Sequence, residues 1–147
     1  MNFQASGFSL DLPPHAVDSS SYVFVFPDQG DFPPNICIRF QPGAEIDMPE
    51  QMVKVRSAML ENLPDALIEG EDKVMNRGDW KYFTHVIEFG EPTNRMRQKE
   101  IHLLVQQPKP TYYVISGVDL ADNFVNFEAT YDNLVRSFQP NELQRFG

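Results

Sequence analysis

The feature that most constrains the fold of this chain is its succession of short, strand-like segments separated by proline and turn residues. Residues 8–12 alternate apolar and polar side chains and stop at Pro13 and Pro14. Residues 21–26 and 35–40 are two further β-rich runs, and the stretch between them is rich in proline, which a helix or a central strand does not accommodate. We therefore predict that these two runs pair as a hairpin with a long loop.

Two segments have helical spacing instead. In residues 47–63, Asp47 is suited to cap a helix with Glu50 three positions later, and Pro64 ends the run. A second helix should begin near Asp119 or Asp122 and lie across the sheet. The predicted apolar stripes are Met52, Val55, Met59, Leu60 and Leu63 for the first helix, and Phe124, Phe127, Tyr131, Leu134, Val135 and Phe138 for the second.

Four more strand-like segments lie between the predicted helices, at residues 66–75, 80–89, 95–107 and 111–117. Short turns join them, so consecutive segments should pair antiparallel. Their alternation predicts two sets of core residues, which are Phe83, Ile87 and Phe89 on one strand and Ile101, Leu103 and Val105 on the next. The sequence thus predicts one α+β domain over residues 1–147, in which helices cover a predominantly antiparallel sheet.

Charge and composition exclude several classes of function. The formal net charge of −9 and the pI near 4.7 disfavour nucleic acid and anionic membranes as partners. The first residues lack the basic and apolar regions of a signal peptide, and no later run reaches the roughly 20 apolar residues that span a bilayer. A single cysteine, Cys37, excludes an intrachain disulfide. We expect a cytoplasmic protein that does not insert into a membrane.

No segment gathers the polar residues that catalysis or metal binding needs. His15, His85 and His102 lie far apart in sequence, and none has metal-type spacing. Cys37 lies in an apolar run without a neighbouring histidine, so we interpret it as a core residue. The glycines are scattered and form no phosphate-binding loop. The sequence therefore predicts a binding protein, not an enzyme, with no catalytic residue, metal or cofactor.

Two features invite alternative interpretations. Residues 22–26 are apolar on both strand faces, and residues 36–38 nearly so. Either the domain's own helices bury both faces, or one face is an apolar groove for another chain. Arg95, Arg97 and Lys99 alternate along one strand and would form either a solvated extension of it or a contact for an acidic partner or a dimer.

Three segments together resemble a known fold: residues 7–13 (GFSLDLP), residues 18–24 (DSSSYVF) and the closing residues 127–140 (FEATYDNLVRSFQP). They resemble the PsbP/DcrB-like fold, an α/β/α sandwich. Within that group the chain is similar over its whole length to the Eag-type chaperones, the effector-associated adaptors of bacterial type VI secretion. Ser137 and Phe138, directly after the predicted amphipathic helix, are the most specific part of the resemblance.

The resemblance implies a cytoplasmic homodimer without enzymatic activity. Such a chaperone shields the hydrophobic N-terminal transmembrane region of a secreted toxic effector and helps to load it on the spike protein of the secretion machine. A groove for that purpose needs apolar walls and a few polar groups that hydrogen-bond to the client. From strand alternation we assign the client-binding groove to Val23, Val25, Ile36, Ile38, His102, Leu104 and Gln106.

Strand alternation leaves the opposite set, led by Tyr22, Phe24 and Phe26, as the other choice for the groove. Two other functions also stay open. A small-molecule or lipid-binding protein would use the same cavity, and an enzyme would use His102 or His85 with an acidic neighbour. The enzyme predicts a closed polar pocket with a perturbed histidine, whereas the chaperone predicts an open apolar groove.

Overall fold

The computed structural model describes residues 2–5, 8–11, 21–27, 32–107 and 109–140. These residues contain the following strands and helices: β1 (Asn2–Ala5), β2 (Phe8–Asp11), β3 (Ser21–Val25), β4 (Asn35–Pro42), α1 (Met48–Asn62), β5 (Leu67–Gly70), β6 (Met75–Arg77), β7 (Trp80–Phe89), β8 (Met96–Val105), β9 (Thr111–Leu120) and α2 (Phe124–Ser137). His15, the predicted end of the first strand at Leu12, and residues 18–20 of the resemblance lie outside the described residues.

The main sheet has the strand order β3-β4-β9-β8-β7-β5, and β6 also pairs with β7. Every pairing in it is antiparallel, which confirms the predicted sheet and the predicted pairing of β3 with β4. Strands β1 and β2 form a separate two-stranded sheet, of which β1 was not predicted. The long central strands β7, β8 and β9 are consecutive in the sequence and are also neighbours in the sheet, because short turns join them.

Helix α1 begins where its sequence predicts. The backbone N–H of Glu50 donates to Asp47 Oδ1 at 3.0 Å, so Asp47 is the N-cap, and Pro49 lies in the first turn. Met52 is buried, but Leu60 is 57% exposed and does not belong to the buried stripe. The prediction for Leu60 was therefore wrong, because α1 contacts the sheet through its N-terminal half and through the face that carries Val55 and Met59.

Helix α2 carries the predicted apolar stripe. Phe124, Phe127 and Tyr131 are buried in one cluster with Ile36 and Ile115, and Leu134, Val135 and Phe138 pack at its margin. The Tyr131 hydroxyl donates to the Ile115 carbonyl at 2.7 Å. A Cβ atom at Gly117 would lie 2.5 Å from Tyr131 Cδ2, so only glycine lets the helix approach β9 this closely.

The two helices cover opposite faces of the sheet. Alternate residues of β9 separate the faces, since Tyr112 and Val114 belong to the cluster under α1 and Ile115 belongs to the cluster under α2. The arrangement is an α/β/α sandwich, as predicted. We call the two sides of the sheet the α1 face and the α2 face.

The predicted strand over residues 66–75 is two strands in the structure. Gly70 pairs with His85 and Met75 pairs with Tyr82, so residues 71–74 span the length of only two residues of β7. The extra residues leave the sheet as an exposed turn around Glu71, Asp72 and Lys73. The error lay in reading a charged turn as a strand interior.

Candidate functional site

A buried cluster of polar side chains lies on the α1 face, where β7, β8 and β9 meet. The antiparallel register places His85 directly opposite Glu100, and His102 lies two residues further along β8 on the same face. Glu100 Oε1 accepts hydrogen bonds from His85 Nε2 at 3.0 Å and from His102 Nε2 at 2.9 Å. The Tyr112 hydroxyl of β9 hydrogen-bonds to His102 Nδ1. We call these four residues the histidine–glutamate cluster.

Helix α1 and strand β8 complete the hydrogen bonds of this cluster. Gln51 Nε2 donates to the Tyr112 hydroxyl at 3.4 Å, and Arg56 Nε donates to His85 Nδ1 at 3.5 Å. Gln98 Nε2 donates to Glu100 Oε2 at 2.6 Å. Within the described residues, no buried side-chain nitrogen or oxygen lacks a partner. The cluster therefore connects α1 to the sheet through polar contacts that are all satisfied.

The environment fixes the charges of the cluster. Burial would raise the pKa of Glu100, but the hydrogen bonds from His102 and His85 hold the pKa of this carboxyl well below its usual range. Burial lowers the pKa of His102 below 6.5 despite its hydrogen bond to Glu100, and burial raises the pKa of Tyr112. At neutral pH the cluster thus holds a carboxylate, a neutral His102 and a protonated tyrosine.

The same three residues have the chemistry of a metal site. One ligand atom each of His85, Glu100 and His102 lie within 4.8 Å of one another, and two imidazoles with a carboxylate suit zinc. However, Arg56 presents an N–H to His85 Nδ1, so the proton of this imidazole resides on Nε2, the atom that would have to coordinate the metal. The polar atoms of His85, Glu100 and His102 already have hydrogen-bond partners without a metal ion. The arrangement therefore favours a polar network over a metal centre.

A cavity of about 410 Å³ opens beside the cluster, between α1 and strands β4 and β9. Its walls are largely apolar, and the polar groups of Glu100, His102 and Tyr112 reach it from the sheet. Arg39 and Gln41 on β4 are exposed, so the cavity is open to solvent on this side. The lining residues are Arg39, Phe40, Gln41, Pro42, Gln51, Val55, Met59, Glu100, His102, Tyr112 and Val114. We call this cavity the α1 groove.

Strand β3 continues the α1 face beyond the groove as the edge strand of the sheet. Within the described residues its sole strand neighbour is β4. Its four apolar side chains, Tyr22, Val23, Phe24 and Val25, are between 47% and 58% exposed. Val23 and Val25 lie on the α1 face because they pair with Cys37 and Asn35, whereas Tyr22 and Phe24 lie on the α2 face opposite Ile38 and Ile36. An edge strand that exposes apolar side chains on both faces is unusual in a monomer.

The structure does not bring the seven predicted groove residues together on one face. Val23, Val25, His102 and Leu104 are on the α1 face, and of these His102 lines the α1 groove while Leu104 packs under α1. Ile36 is buried beneath α2 and Ile38 packs against the same cluster, so neither shares a surface with Leu104. The prediction placed Ile36 and Ile38 on the groove side of β4. In the structure, the β4 residues on the α1 face are instead Cys37 and Arg39.

The remaining predicted residues divide in a similar way. Gln106 is half-buried just after β8, where its backbone N–H donates to the Asp79 carbonyl. Phe26, from the alternative set, packs against Phe127 of α2. Cys37 is half-buried instead of a full core residue. Neither explanation for doubly apolar strands applies to a whole strand as stated, since α2 covers the Ile36 and Ile38 face of β4, Arg39 and Gln41 on its other face are exposed, and β3 is exposed on both faces.

The convergence of His85 with His102 was not predicted from the sequence. Both lie on the α1 face because the turn between β7 and β8 sets the register of the hairpin, which places His85 against Glu100. Counting outward from that turn would have found the pair. Gln51, Arg39 and Tyr112 could not be assigned in the same way, since they come from elements that are distant in sequence.

The basic residues of β8 are paired within the protein. Arg97 lies 3.3 Å from Glu69 and 3.6 Å from Glu88, and Lys99 lies 3.0 Å from Glu128 and 2.8 Å from Asp132 of α2. Burial would lower the pKa of Lys99, but the hydrogen bonds to Asp132 and Glu128 raise it. These ion pairs connect β8 to α2 and to strands β5 and β7, so the basic residues do not form a solvated strand extension.

Comparisons with known proteins identify the fold. No family model matches the chain, and no curated protein matches it. A solved structure of PA94 from Pseudomonas aeruginosa, described as a protein of unknown function and putative regulator, is similar with a TM-score of 0.75 and 10% identity over 97% of this chain and 98% of that chain. LpqN of Mycobacterium tuberculosis, described as involved in cell envelope biogenesis, has a TM-score of 0.52 and 14% identity over 82% of this chain and 83% of that one.

The described helices include none with the length and hydropathy required to cross a bilayer. At such low identity the two likenesses establish a shared architecture and carry no function with them. The chain therefore has the same α/β/α fold as PA94, with an open groove on one face of its sheet.

Proposed function

We propose that this protein is a cytoplasmic chaperone or adaptor, without enzymatic activity, that binds an apolar segment of a partner protein. In its specific form the proposal follows the Eag-type resemblance. The client is the N-terminal transmembrane region of a type VI secretion effector, which the protein shields and helps to load on the spike protein. The observation that carries the proposal is the exposed apolar edge strand β3 beside the open α1 groove.

The α1 face has the features that an apolar helix requires of its chaperone. Val23 and Val25 at the edge and Val55, Met59 and Val114 in the groove are apolar contacts for such a helix. Gln51 and Tyr112 offer hydrogen-bonding groups within the groove. A helix with its side chains is about 10–12 Å wide, so a groove of this volume would hold only one part of it.

A second copy of the chain would supply the other half of the binding surface. Among the described residues β4 is the one strand that pairs with β3, so pairing of β3 with a second copy along its other edge would form a twofold dimer and leave Val23 and Val25 on the α1 face for the client. A homodimer is also what the Eag-type resemblance implies. Two α1 faces that approach a client from both sides would shield more of it than one.

Co-expression tests the proposal. The tagged protein is produced with the N-terminal region of a neighbouring gene product that carries transmembrane segments, and the mass of the purified complex is measured. We expect a stable complex that Val23→Asp disrupts. Val125→Asp is the matched control, because Val125 is 75% exposed on α2, on the other side of the sheet. Loss of the client from both variants, or from neither, would contradict the assignment of the α1 face.

A small-molecule or lipid-binding function is the second candidate, and the cavity itself favours it. Its volume of about 410 Å³ is within the usual range for small-ligand sites, and apolar walls surround a few convergent polar groups. The chaperone proposal fits β3 better, since a ligand enclosed in the groove would leave the edge strand exposed. Native mass spectrometry of the protein purified without a client would detect a retained ligand.

A further inference from the structure

Arg39 is the one lysine or arginine among the described residues that line the α1 groove. It lies on β4, where the register places it between Ser21 of the edge strand and Val114 of β9. Its positive charge is near enough to lower the pKa of His102 and to oppose the rise in the pKa of Tyr112, after the larger effects of burial and hydrogen bonding. The guanidinium thus belongs to the groove.

No acidic side chain of the described part of the chain pairs with Arg39. Arg56, Arg95, Arg97 and Lys99 all have carboxylate partners within 4.0 Å. The acidic group in the groove, Glu100, accepts hydrogen bonds from His85, His102 and Gln98, and its charge is engaged by those donors. In a chain with a net charge of −9, an arginine that pairs with none of the described carboxylates and lies beside an apolar groove is suited to bind an acidic group of a ligand.

We propose that the apolar segment bound in the α1 groove carries one carboxylate side chain, which pairs with Arg39. This inference rests on the proposed chaperone function and specifies its client. An apolar helix that covers the groove would remove water from Arg39, and a desolvated arginine without a partner opposes binding. A single aspartate or glutamate in the client converts that cost into a bidentate ion pair, which fixes the register of the segment in the groove.

The test uses synthetic peptides. Each is an apolar leucine–alanine helix of about 20 residues with one central glutamate, placed at four successive positions so that one of them faces Arg39. A matched set carries glutamine instead. Dissociation constants are measured by fluorescence anisotropy in mild detergent with the wild-type protein, Arg39→Met, Arg39→Glu and the control Arg136→Met, whose arginine is exposed on α2 and bonded to Asn133.

We expect one glutamate peptide to bind the wild type about 10- to 100-fold more tightly than its glutamine partner. Arg39→Met should remove that difference, Arg39→Glu should reverse it so that the glutamine peptide binds more tightly, and Arg136→Met should leave it unchanged. Equal binding of the glutamate and glutamine sets would overturn the inference and leave the chaperone function standing. Binding of dodecanoate without binding of any peptide would overturn both, in favour of a fatty-acid site.

Discussion

The two faces of the sheet are covered in different ways. The α2 face is an apolar core, in which Phe124, Phe127 and Tyr131 pack against Ile36 and Ile115. The α1 face combines an apolar cluster around Met48, Met52 and Phe83 with the histidine–glutamate cluster and an open groove. The comparison teaches that apolar packing closes the α2 face, whereas the α1 face combines packing with an open groove, on which the proposed binding function rests.

The largest effect is expected on the α2 face. Phe127 is 0% exposed, so Phe127→Ala should lower the free energy of unfolding by about 3–5 kcal/mol through lost burial and a cavity. Urea denaturation measures the change. Val125→Ala is the control, because Val125 lies on the same helix but is exposed. It should change the free energy of unfolding by less than about 0.5 kcal/mol. A small effect of Phe127→Ala would mean that this face is not the principal core.

The polar cluster should contribute less, but measurably. Glu100→Gln removes the buried charge that two imidazoles share. The amide oxygen can still accept from both imidazoles at the Oε1 position, but the amide nitrogen then faces the Gln98 Nε2 donor, which loses its acceptor. We expect a loss of about 3 kcal/mol in the same denaturation experiment. Glu88→Gln is the matched substitution, since Glu88 pairs with Arg95 and Arg97 at a partly exposed site and should lose less than about 1 kcal/mol. Equal losses would show that the burial of Glu100 has no special cost.

Acid should destabilise the α1 face. The folded state lowers the pKa of His102 from 6.5 and that of Glu100 from 4.5, so the unfolded chain binds protons more tightly at both sites. The free energy of unfolding should therefore fall as the pH decreases below about 6.5, and fall further below about 4.5. Urea titrations at several pH values measure this, and His102→Gln should flatten the upper part of the profile. A wild-type stability that rises between pH 6.5 and pH 5 would contradict the assignment.

The smallest effect on stability is expected at the edge strand. Val23 is exposed, so Val23→Asp should change the free energy of unfolding by less than about 0.5 kcal/mol, whereas client binding should be lost. The midpoint of urea denaturation and the yield of the purified complex give the two values. A large loss of stability would place Val23 in the folded core and remove it from the binding surface.

Local patterns in the sequence predicted much of the fold. The Asp47 cap, the α2 stripe and the antiparallel order of the central strands follow from spacing and turn residues, and the structure confirms them. The groove assignment was less accurate because strand alternation separates Ile36 and Ile38 from Cys37 and Arg39 but does not show which of the two sets faces α1. That choice depends on which face each helix covers, a tertiary property.

Hydrogen–deuterium exchange of the protein alone and in complex with a client carrying N-terminal transmembrane segments tests the division between the two faces most directly. The account predicts slower exchange in β3 and in α1 when the client is bound, with α2 unchanged. Protection confined to α2, or no change in β3 and α1 in a complex that is shown to be intact, would contradict the assignment of the α1 face as the binding surface.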